Sequence, residues 1–268
     1  SHRGPQDEWG DIHTDALNEV CMTATAIIQA RTASSRLPSK VLLPLGGVPM
    51  IQHVVRRAQA AAAIDEVIIA TSFHTRDDII EWHATEAGAR VVRGSEDDVL
   101  GRLCTAVSEA TTDTIVRLTG DNPFVAPGLI DEVAGVITDG TAAYASNKLD
   151  RTFPIGVDAE AMTGDTLPDV EQSTTDPSYR EHAIKYIRAH PDQFTTHNVT
   201  VEDVFGPNGL AAGPELRLTL DEPRDYQVYN TVYEQLDFDT VLSVTDAIDY
   251  ILSNDLHVIN DSVTQKTL

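Results

Sequence analysis

From Thr23 to about residue 147, the sequence alternates short apolar runs with segments of helical periodicity. The runs typical of buried strands span residues 26–28, 67–70, 91–92, 114–118 and 142–146. Helical segments begin near residue 49, at 77, after Ser95 and at 128. This alternation predicts an α/β fold with a mainly parallel sheet and helices on both faces. Ligands bind such sheets beyond the carboxyl ends of the strands, so the loops at Arg31, Thr71, Gly94 and Asp121 are expected to converge.

After residue 147 the alternation of strand and helix patterns becomes less regular. The pattern predicts a loop entering a strand over 154–162, helices over 167–172, 178–189 and 244–253, a helix ending near Leu236, and strands over 194–201 and 216–220. We therefore predict a single domain over residues 22–268, in which 147–215 is an acceptor-binding or lid subdomain and 216–220 returns to the core. Residues 1–21 are predicted to be an acidic, disordered extension, because they show no sustained periodicity.

The loop after the first predicted strand is rich in cations and hydroxyls. It reads RTASSRLPSK from Arg31 to Lys40 and includes Ser35, Arg36 and a turn proline, Pro38. Two guanidinium groups and an ammonium group directly after a buried strand suit a polyphosphate, with backbone N–H groups completing the site. The alternative is a solvated surface turn. The loop is neither a Walker A motif nor a GxGxxG fingerprint.

The charge of the whole chain favours the anion site. The 268 residues carry 42 acidic and 19 basic side chains, a net charge of −23, with the acids spread along the sequence. This balance excludes a nucleic-acid partner and is typical of a halophilic protein, whose melting temperature should rise in molar KCl. No apolar run is long enough for a membrane helix, and two distant cysteines indicate a reducing, cytoplasmic location.

Two aspartates follow apolar runs in similar contexts. Asp121 stands in LTGDNP and Asp221 in LTLDEP, each with a proline two residues later. Mg²⁺ typically binds one or two protein carboxylates together with phosphate oxygens and waters, so the pair is predicted to hold this metal. The alternative for Asp121 is capping of the next turn. Asp225 is a weaker candidate that also fits the first turn of a helix.

A glycine loop leads into the third predicted helix. It consists of residues 93–95, followed by Asp98 and Arg102. Such a loop at a helix N-terminus suits a base or ribose edge, and capping of the helix by Ser95 explains part of the same pattern.

Polar groups of both signs lie in the second half of the chain, in 156–160 (GVDAE) and 180–182 (REH). They suit recognition of a polar acceptor, with His182 able to act as an acid or a base. A surface salt-bridge cluster of Arg180, Glu181 and Lys185 is the alternative.

Taken in order, these motifs resemble the cytidylyltransferases, which include acylneuraminate and 3-deoxy-octulosonate cytidylyltransferases, and especially the SpsF-type spore-coat polysaccharide branch. The resemblance covers about residues 24–226 and is carried by IIQARTASSRLPSKVL, IIATS, RGSEDDVLGR, RLTGDNP, GVDAE, YREHAIKYI and LRLTLDEPRDY. It implies a Rossmann-like, GT-A-like nucleotidyltransferase fold with an inserted acceptor-binding and dimerisation subdomain. It also implies CTP as substrate, Mg²⁺ as cofactor and a homodimer; CTP over other nucleotides rests on the resemblance alone.

The resemblance matches Arg31, Arg36 and Lys40 to a triphosphate loop, and Asp121 and Asp221 to metal-binding carboxylates. The predicted nucleotide site comprises Ala30, Arg31, Ser35, Arg36, Lys40, Thr71, Ser95, Arg102 and Asp121. Among these, Arg31, Lys40 and Asp121 are expected to be catalytic. The predicted acceptor site comprises Asn147, Asp158, Glu160, Arg180, Glu181 and His182.

We therefore expect an enzyme that transfers CMP from CTP to an acidic sugar or related acceptor in surface polysaccharide biosynthesis, with release of pyrophosphate. One alternative is a nucleotidyltransferase acting on a phosphate or phosphonate acceptor. Another is a GT-A glycosyltransferase, although the sequence at 120–123 reads GDNP rather than the usual DxD. A third is a non-catalytic sugar-nucleotide-binding protein, which would not need both aspartates and Lys40.

Overall fold

A computed structural model describes residues 23–263 of the chain. Nine strands form the β-structure: β1 (Ala24–Gln29), β2 (Pro44–Leu45), β3 (Val48–Pro49), β4 (Ile64–Ser72), β5 (Arg90–Gly94), β6 (Thr114–Thr119), β7 (Tyr144–Ser146), β8 (Glu160–Thr163) and β9 (Thr196–Asn198). Seven of them make one sheet in the order β5-β4-β1-β6-β8-β7-β9, and β2 and β3 pair separately. β5, β4, β1 and β6 run parallel, whereas β8 runs antiparallel to β6 and β7. The predicted α/β fold with a mainly parallel sheet is confirmed.

The helices of the described residues pack on both faces of the sheet. They are α1 (Met50–Gln59), α2 (Asp78–Glu86), α3 (Val99–Ser108), α4 (Pro127–Thr138), α5 (Thr166–Ser173), α6 (Pro177–Glu181), α7 (Ala183–Ala189), α8 (Val201–Phe205), α9 (Pro223–Gln235) and α10 (Val244–Ser253). Side chains alternate across β1, so Ile28 joins the core beneath α1, α4 and α9, and Ile27 joins the core beneath α3, α5 and α7.

The strand register aligns the carboxyl ends of the parallel strands. Gln29 at the end of β1 pairs with Ala70 in β4 and with Thr119 at the end of β6. The backbone bonds continue past the strands, since Gly120 N donates to Gln29 O at 2.9 Å. The loops after β1, β4 and β6 therefore leave the sheet side by side, as the sequence predicted.

The predicted strand over 216–220 is wrong. Leu216, Leu218 and Leu220 are buried, but the segment lies outside the sheet and makes one isolated bridge, between Arg217 and Ile155. Two backbone bonds form this bridge: Ile155 N donates to Leu216 O at 2.9 Å, and Leu218 N donates to Ile155 O at 2.6 Å. The neighbouring Gly156 has φ +101°, and a Cβ there would lie 2.0 Å from Leu218 O, so glycine allows the two backbones to touch.

Two helix predictions also need correction. The predicted helix over 178–189 is split into α6 and α7 at His182, whose φ of −125° and ψ of 70° are not helical. Ser95 is not the cap of α3; Asp98 is, because its carboxylate accepts from Gly101 N at 3.0 Å. Ser95 instead accepts from Asp98 N and so shapes the turn before the helix.

The segment 147–215 contributes β8 and β9 to the main sheet, so its core is continuous with that of the first half. Its division as an acceptor or lid subdomain stays a prediction, and the predicted extension 1–21 lies outside the described residues. Within residues 23–263, no helix is both long enough and apolar enough to cross a bilayer.

Candidate active site

Lys40 joins the two predicted metal-binding aspartates. Its Nζ donates to Asp121 Oδ2 at 2.7 Å and to Asp221 Oδ1 at 2.8 Å. The lysine begins a single 3-10 turn after Ser39, whose φ of 56° is left-handed and turns the chain toward the sheet edge. The structure thus brings together three residues that are far apart in the sequence, at the edge where ligands are expected.

The segment carrying Asp221 is placed against Asp121 by its backbone and by a buried anchor. Leu220 N donates to Asp121 O at 3.2 Å. The fully buried Asp225 accepts from Asp221 N and from Arg217 Nε, at 3.0 and 2.9 Å. Asp225 is therefore a structural residue at the start of α9, as its alternative interpretation proposed, and it orients Asp221.

Burial disfavours the charged forms of Asp221 and Lys40, but their neighbours outweigh this effect. Lys40, Arg36 and Arg217 hold the pKa of Asp221 below its ordinary value. Asp121 and Asp221 likewise raise the pKa of Lys40 above its ordinary value despite burial. At neutral pH the site therefore contains the Lys40 ammonium group beside the ionised carboxylate of Asp221.

The donor set at this edge fits a divalent cation. Among residues 23–263, no group of three or more His, Cys, Asp or Glu side chains is placed to hold a metal. Asp121 and Asp221, however, already converge on one cation, the Lys40 ammonium. Two carboxylates with remaining positions open to phosphate oxygens and water are the arrangement that Mg²⁺ favours.

The first residues of the basic loop are fixed to the end of β4. The carboxylate of buried Asp77 accepts from Thr32 N at 2.9 Å, from the Thr32 hydroxyl and from Ser72 Oγ. Arg31 Nη1 donates to Glu96 O at 3.3 Å. Ala30 is buried at the sheet edge and Ser35 is exposed. Asp77 and Glu96 were missed by the sequence interpretation.

Arg102 lies buried and has no carboxylate partner among residues 23–263. It is 1% exposed, and its Nη1 donates to Ser95 O at 2.6 Å, whereas Nε and Nη2 find no partner within the described part of the chain. Burial, followed by the nearby Arg31, lowers its pKa to about 10. The hydroxyl of Thr71 is also buried and unpaired within the described residues. Unpaired buried donors of this kind favour a ligand role for the predicted nucleotide residues over simple capping.

Predicted metal and acceptor residues share one cavity of about 280 Å³. Asp121 and Asp221 line it together with Asp158, Glu160 and His182. Its basic lining residues are Arg36, Arg117, Lys148, Lys185 and Arg188. The sequence interpretation missed Arg117, Lys148 and Arg188 as site residues, although an arginine inside the apolar strand TIVRLT was a usable signal.

Glu160 forms the buried floor of this cavity. It is 1% exposed and is paired with Lys148 and with Arg117 Nη1, the latter at 2.7 Å from Oε2. Burial opposes its ionisation, but Lys148 and Arg117 outweigh burial and hold the pKa at about 2. Arg117 Nη2 also donates to Gln29 Oε1 at 2.8 Å, which connects the cluster to β1.

Three predicted acceptor residues do not line the cavity. Asn147 is fully buried and stabilises the turn before β8. Its Nδ2 donates to Val157 O at 2.6 Å, and its Oδ1 accepts from Ala159 N at 3.1 Å. Arg180 pairs with Asp98 and Glu171 and ties α6 to α3 and α5. Glu181 is exposed, and the alternative ion pair between Glu181 and Lys185 does not form.

Residues 25–244 match the cytidylyltransferase family. The chain belongs to this family. It is a nucleotidyltransferase enzyme, as its motifs predicted. The spore coat polysaccharide biosynthesis protein SpsF of Bacillus subtilis is 35% identical over 78% of this chain and 85% of its own length. Uncharacterized protein MJ1063 of Methanocaldococcus jannaschii is 32% identical over 92% of this chain and 98% of its own length.

A solved structure supports the same assignment. A cytidylyltransferase from Leptospira borgpetersenii superimposes on this cytidylyltransferase with a TM-score of 0.79 and 27% identity, covering 92% of this chain and all of that one. CMP:2-keto-3-deoxy-manno-octonic acid synthetase in complex with CTP shares the fold, with a TM-score of 0.59 and 20% identity over 80% of this chain and all of that one. The predicted nucleotidyltransferase fold is therefore confirmed.

Proposed function

We propose that the enzyme transfers CMP from CTP to an acidic sugar or related acceptor and releases pyrophosphate, in the synthesis of a surface polysaccharide. The observation that carries the proposal is the Lys40 ammonium bound to both Asp121 and Asp221. These two aspartates line the cavity that Glu160, Arg117 and Lys148 also line. Support for the nucleotide and the pathway comes from the names of SpsF and of the synthetase solved with CTP.

In the proposed reaction, an acceptor hydroxyl oxygen forms a bond to the α-phosphorus of CTP and its proton passes to solvent water. The bond between the α-phosphorus and the oxygen that bridges it to the β-phosphate breaks at the same time. The electron pair leaves with pyrophosphate, and Arg31, Arg36 and Lys40 stabilise its charge. Asp121 and Asp221 would hold Mg²⁺, which supplies charge neutralisation at the phosphates. The protein contributes mainly position and electrostatics, as is usual for phosphoryl-type transfers.

The nucleoside of CTP is proposed to lie near Thr71 and Arg102. The Thr71 hydroxyl and Nε and Nη2 of Arg102 have no partner in the described chain and would be satisfied by ligand oxygens. The Arg102 side chain packs directly against Gly94. A side chain at residue 94 would displace it, because a Cβ there would lie 2.7 Å from Arg102 Cγ. Ser95 contributes through its carbonyl oxygen, which orients Arg102.

The proposal is tested by pyrophosphate release with each nucleoside triphosphate against sugar acids, sugar phosphates and a phosphonate. We expect release with CTP, a divalent metal and a sugar acid. Asp121→Asn should abolish it, whereas Asp65→Asn, an exposed carboxylate at the other end of β4, should not. Turnover with another triphosphate alone, or full activity of Asp121→Asn, would refute the assignment. The proposed homodimer is checked separately by light scattering on the purified chain.

A further inference from the structure

The short helix α7 and the residue before it present basic side chains to the cavity. His182 at the N-cap, and Lys185 and Arg188 within α7, all line it at intervals of three residues along the chain. Residues with this spacing lie close together along one side of a helix. The exposed Lys185 and Arg188 on α7, with His182 at its start, therefore form a basic wall apart from the segments that carry Asp121 and Asp221.

This wall is not neutralised by the protein. Within residues 23–263, His182, Lys185 and Arg188 form no ion pair, and Lys185 Nζ donates to Ser178 Oγ at 3.2 Å. The other basic residues of the cavity all have carboxylate partners, as Arg36 has Asp221, and Arg117 and Lys148 have Glu160. In a chain with 42 acidic residues against 19 lysines and arginines, Lys185 and Arg188 are thus two cations at one cavity that have no carboxylate partner among the described residues.

The acids of the same cavity are already engaged elsewhere. Asp158 pairs with Arg151 at 2.7 Å, and Asp121 and Asp221 share Lys40. Glu160 is held by its two cations at the cavity floor. A ligand entering the cavity therefore meets uncompensated positive charge on α7.

We propose that His182, Lys185 and Arg188 form an anion subsite that binds a carboxylate or phosphate group of the acceptor. The inference rests on the proposed function, because it takes the cavity to be the acceptor site. Charge-assisted hydrogen bonds from Lys185 and Arg188 would select acceptors with an anionic group over neutral sugars. A solvated helix face explains the residue types but not their position on the cavity that contains Asp121 and Asp221.

The subsite is tested by calorimetric binding of three hexose probes at the lowest KCl concentration that keeps the protein folded. The probes are glucose, glucuronate and glucose 6-phosphate. We expect the wild type to bind at least one anionic probe about tenfold more tightly than glucose, and Lys185→Gln/Arg188→Gln to lose this preference. The anionic probe that binds more tightly shows whether the subsite favours a carboxylate or a phosphate.

The matched control is Arg56→Gln/Arg224→Gln. It makes the same charge change on α1 and α9, outside the cavity, at arginines that form no ion pair in the described chain. Three results would overturn the subsite. The wild type could bind all three probes equally, the α7 variant could keep the wild-type preference for anionic probes, or the control could lose this preference as much as the α7 variant does. Pyrophosphate release from CTP is a separate readout, so failure of the subsite and failure of the proposed function are distinguishable.

Discussion

Nζ of Lys40 lies 2.7 Å from Oδ2 of Asp121, and this pair connects the loop after β1 to the end of β6. The same ammonium group reaches Asp221, so one side chain balances both carboxylates that would hold a metal. When a nucleotide is bound, its phosphates would therefore compete with these two carboxylates for the Lys40 ammonium group.

Lys40→Ala should reduce turnover by about 100-fold or more while the protein stays folded, because a preorganised cation is removed from the developing charge. Without nucleotide, the variant should bind Mn²⁺ more tightly than the wild type, since the ammonium no longer competes for Asp121 and Asp221. Electron paramagnetic resonance of free Mn²⁺ measures this directly. If the variant binds Mn²⁺ no more tightly than the wild type, the Lys40 ammonium group does not compete with the metal for these aspartates.

Glu160→Gln should destabilise the protein by roughly 3–5 kcal/mol, because Arg117 and Lys148 are left without their buried counter-charge. The folded pKa of Glu160, about 2, lies below its ordinary value of 4.5, so its stabilisation is complete above pH 4.5 and is lost as the pH falls toward 2. Urea unfolding across this range should show a smaller pH slope in the variant. Glu202→Gln, at an exposed position, should keep the wild-type slope.

Arg102→Met should raise the free energy of unfolding of the ligand-free protein by about 1 kcal/mol and weaken CTP binding, because a buried, partly unpaired cation is replaced by an apolar side chain. Arg57→Met is the contrast. Arg57 is equally buried, but it donates to Val125 O and Leu242 O and lies over the Phe124 ring. Its loss should destabilise the protein, and thermal melts with and without CTP separate the two cases. A lower melting temperature for ligand-free Arg102→Met would count against a ligand role.

Gly156→Ala should cost about 3 kcal/mol or more and displace the segment carrying Asp221, because the new Cβ would overlap Leu218 O. Gly140→Ala is the matched control. Gly140 also has a positive φ, of 71°, but a Cβ added there would have no atom within 4 Å, so the cost should be about 1 kcal/mol. Equal losses measured by urea unfolding would show that backbone strain, and not the contact with Leu218, sets the requirement for glycine.

The convergence of Lys40, Asp121 and the loop after β4 was predictable, because parallel strands place their carboxyl ends at one edge. The position of Asp221 was predicted for the wrong reason. Its segment is apolar and alternating like a strand, yet it reaches Asp121 through single backbone bonds outside the sheet. Periodicity reports which side chains are buried and does not distinguish a sheet from another buried surface.

Charged residues whose partners are distant in sequence were the hardest to predict. Arg180 was expected at the acceptor, but it binds Asp98, which only the packing of α6 on α3 brings near. Arg117 contacts Glu160 because β8 pairs antiparallel with β6, a register that the weak rhythm after residue 147 does not specify. Such pairings depend on long-range contacts and not on local pattern.

The pairing of β6 with β8 has a consequence for the spacing of the two substrates. Arg117 and Glu160 are direct partners in the backbone register as well as an ion pair, and Asp121 follows two residues after β6 ends. The distance from Asp121, the proposed metal ligand, to Glu160 in the proposed acceptor site is thus set by a hydrogen-bonded ladder and not by a hinge. Substitutions on α7, which lies outside this ladder, are therefore expected to change which acceptor binds without changing the spacing between Asp121 and Glu160.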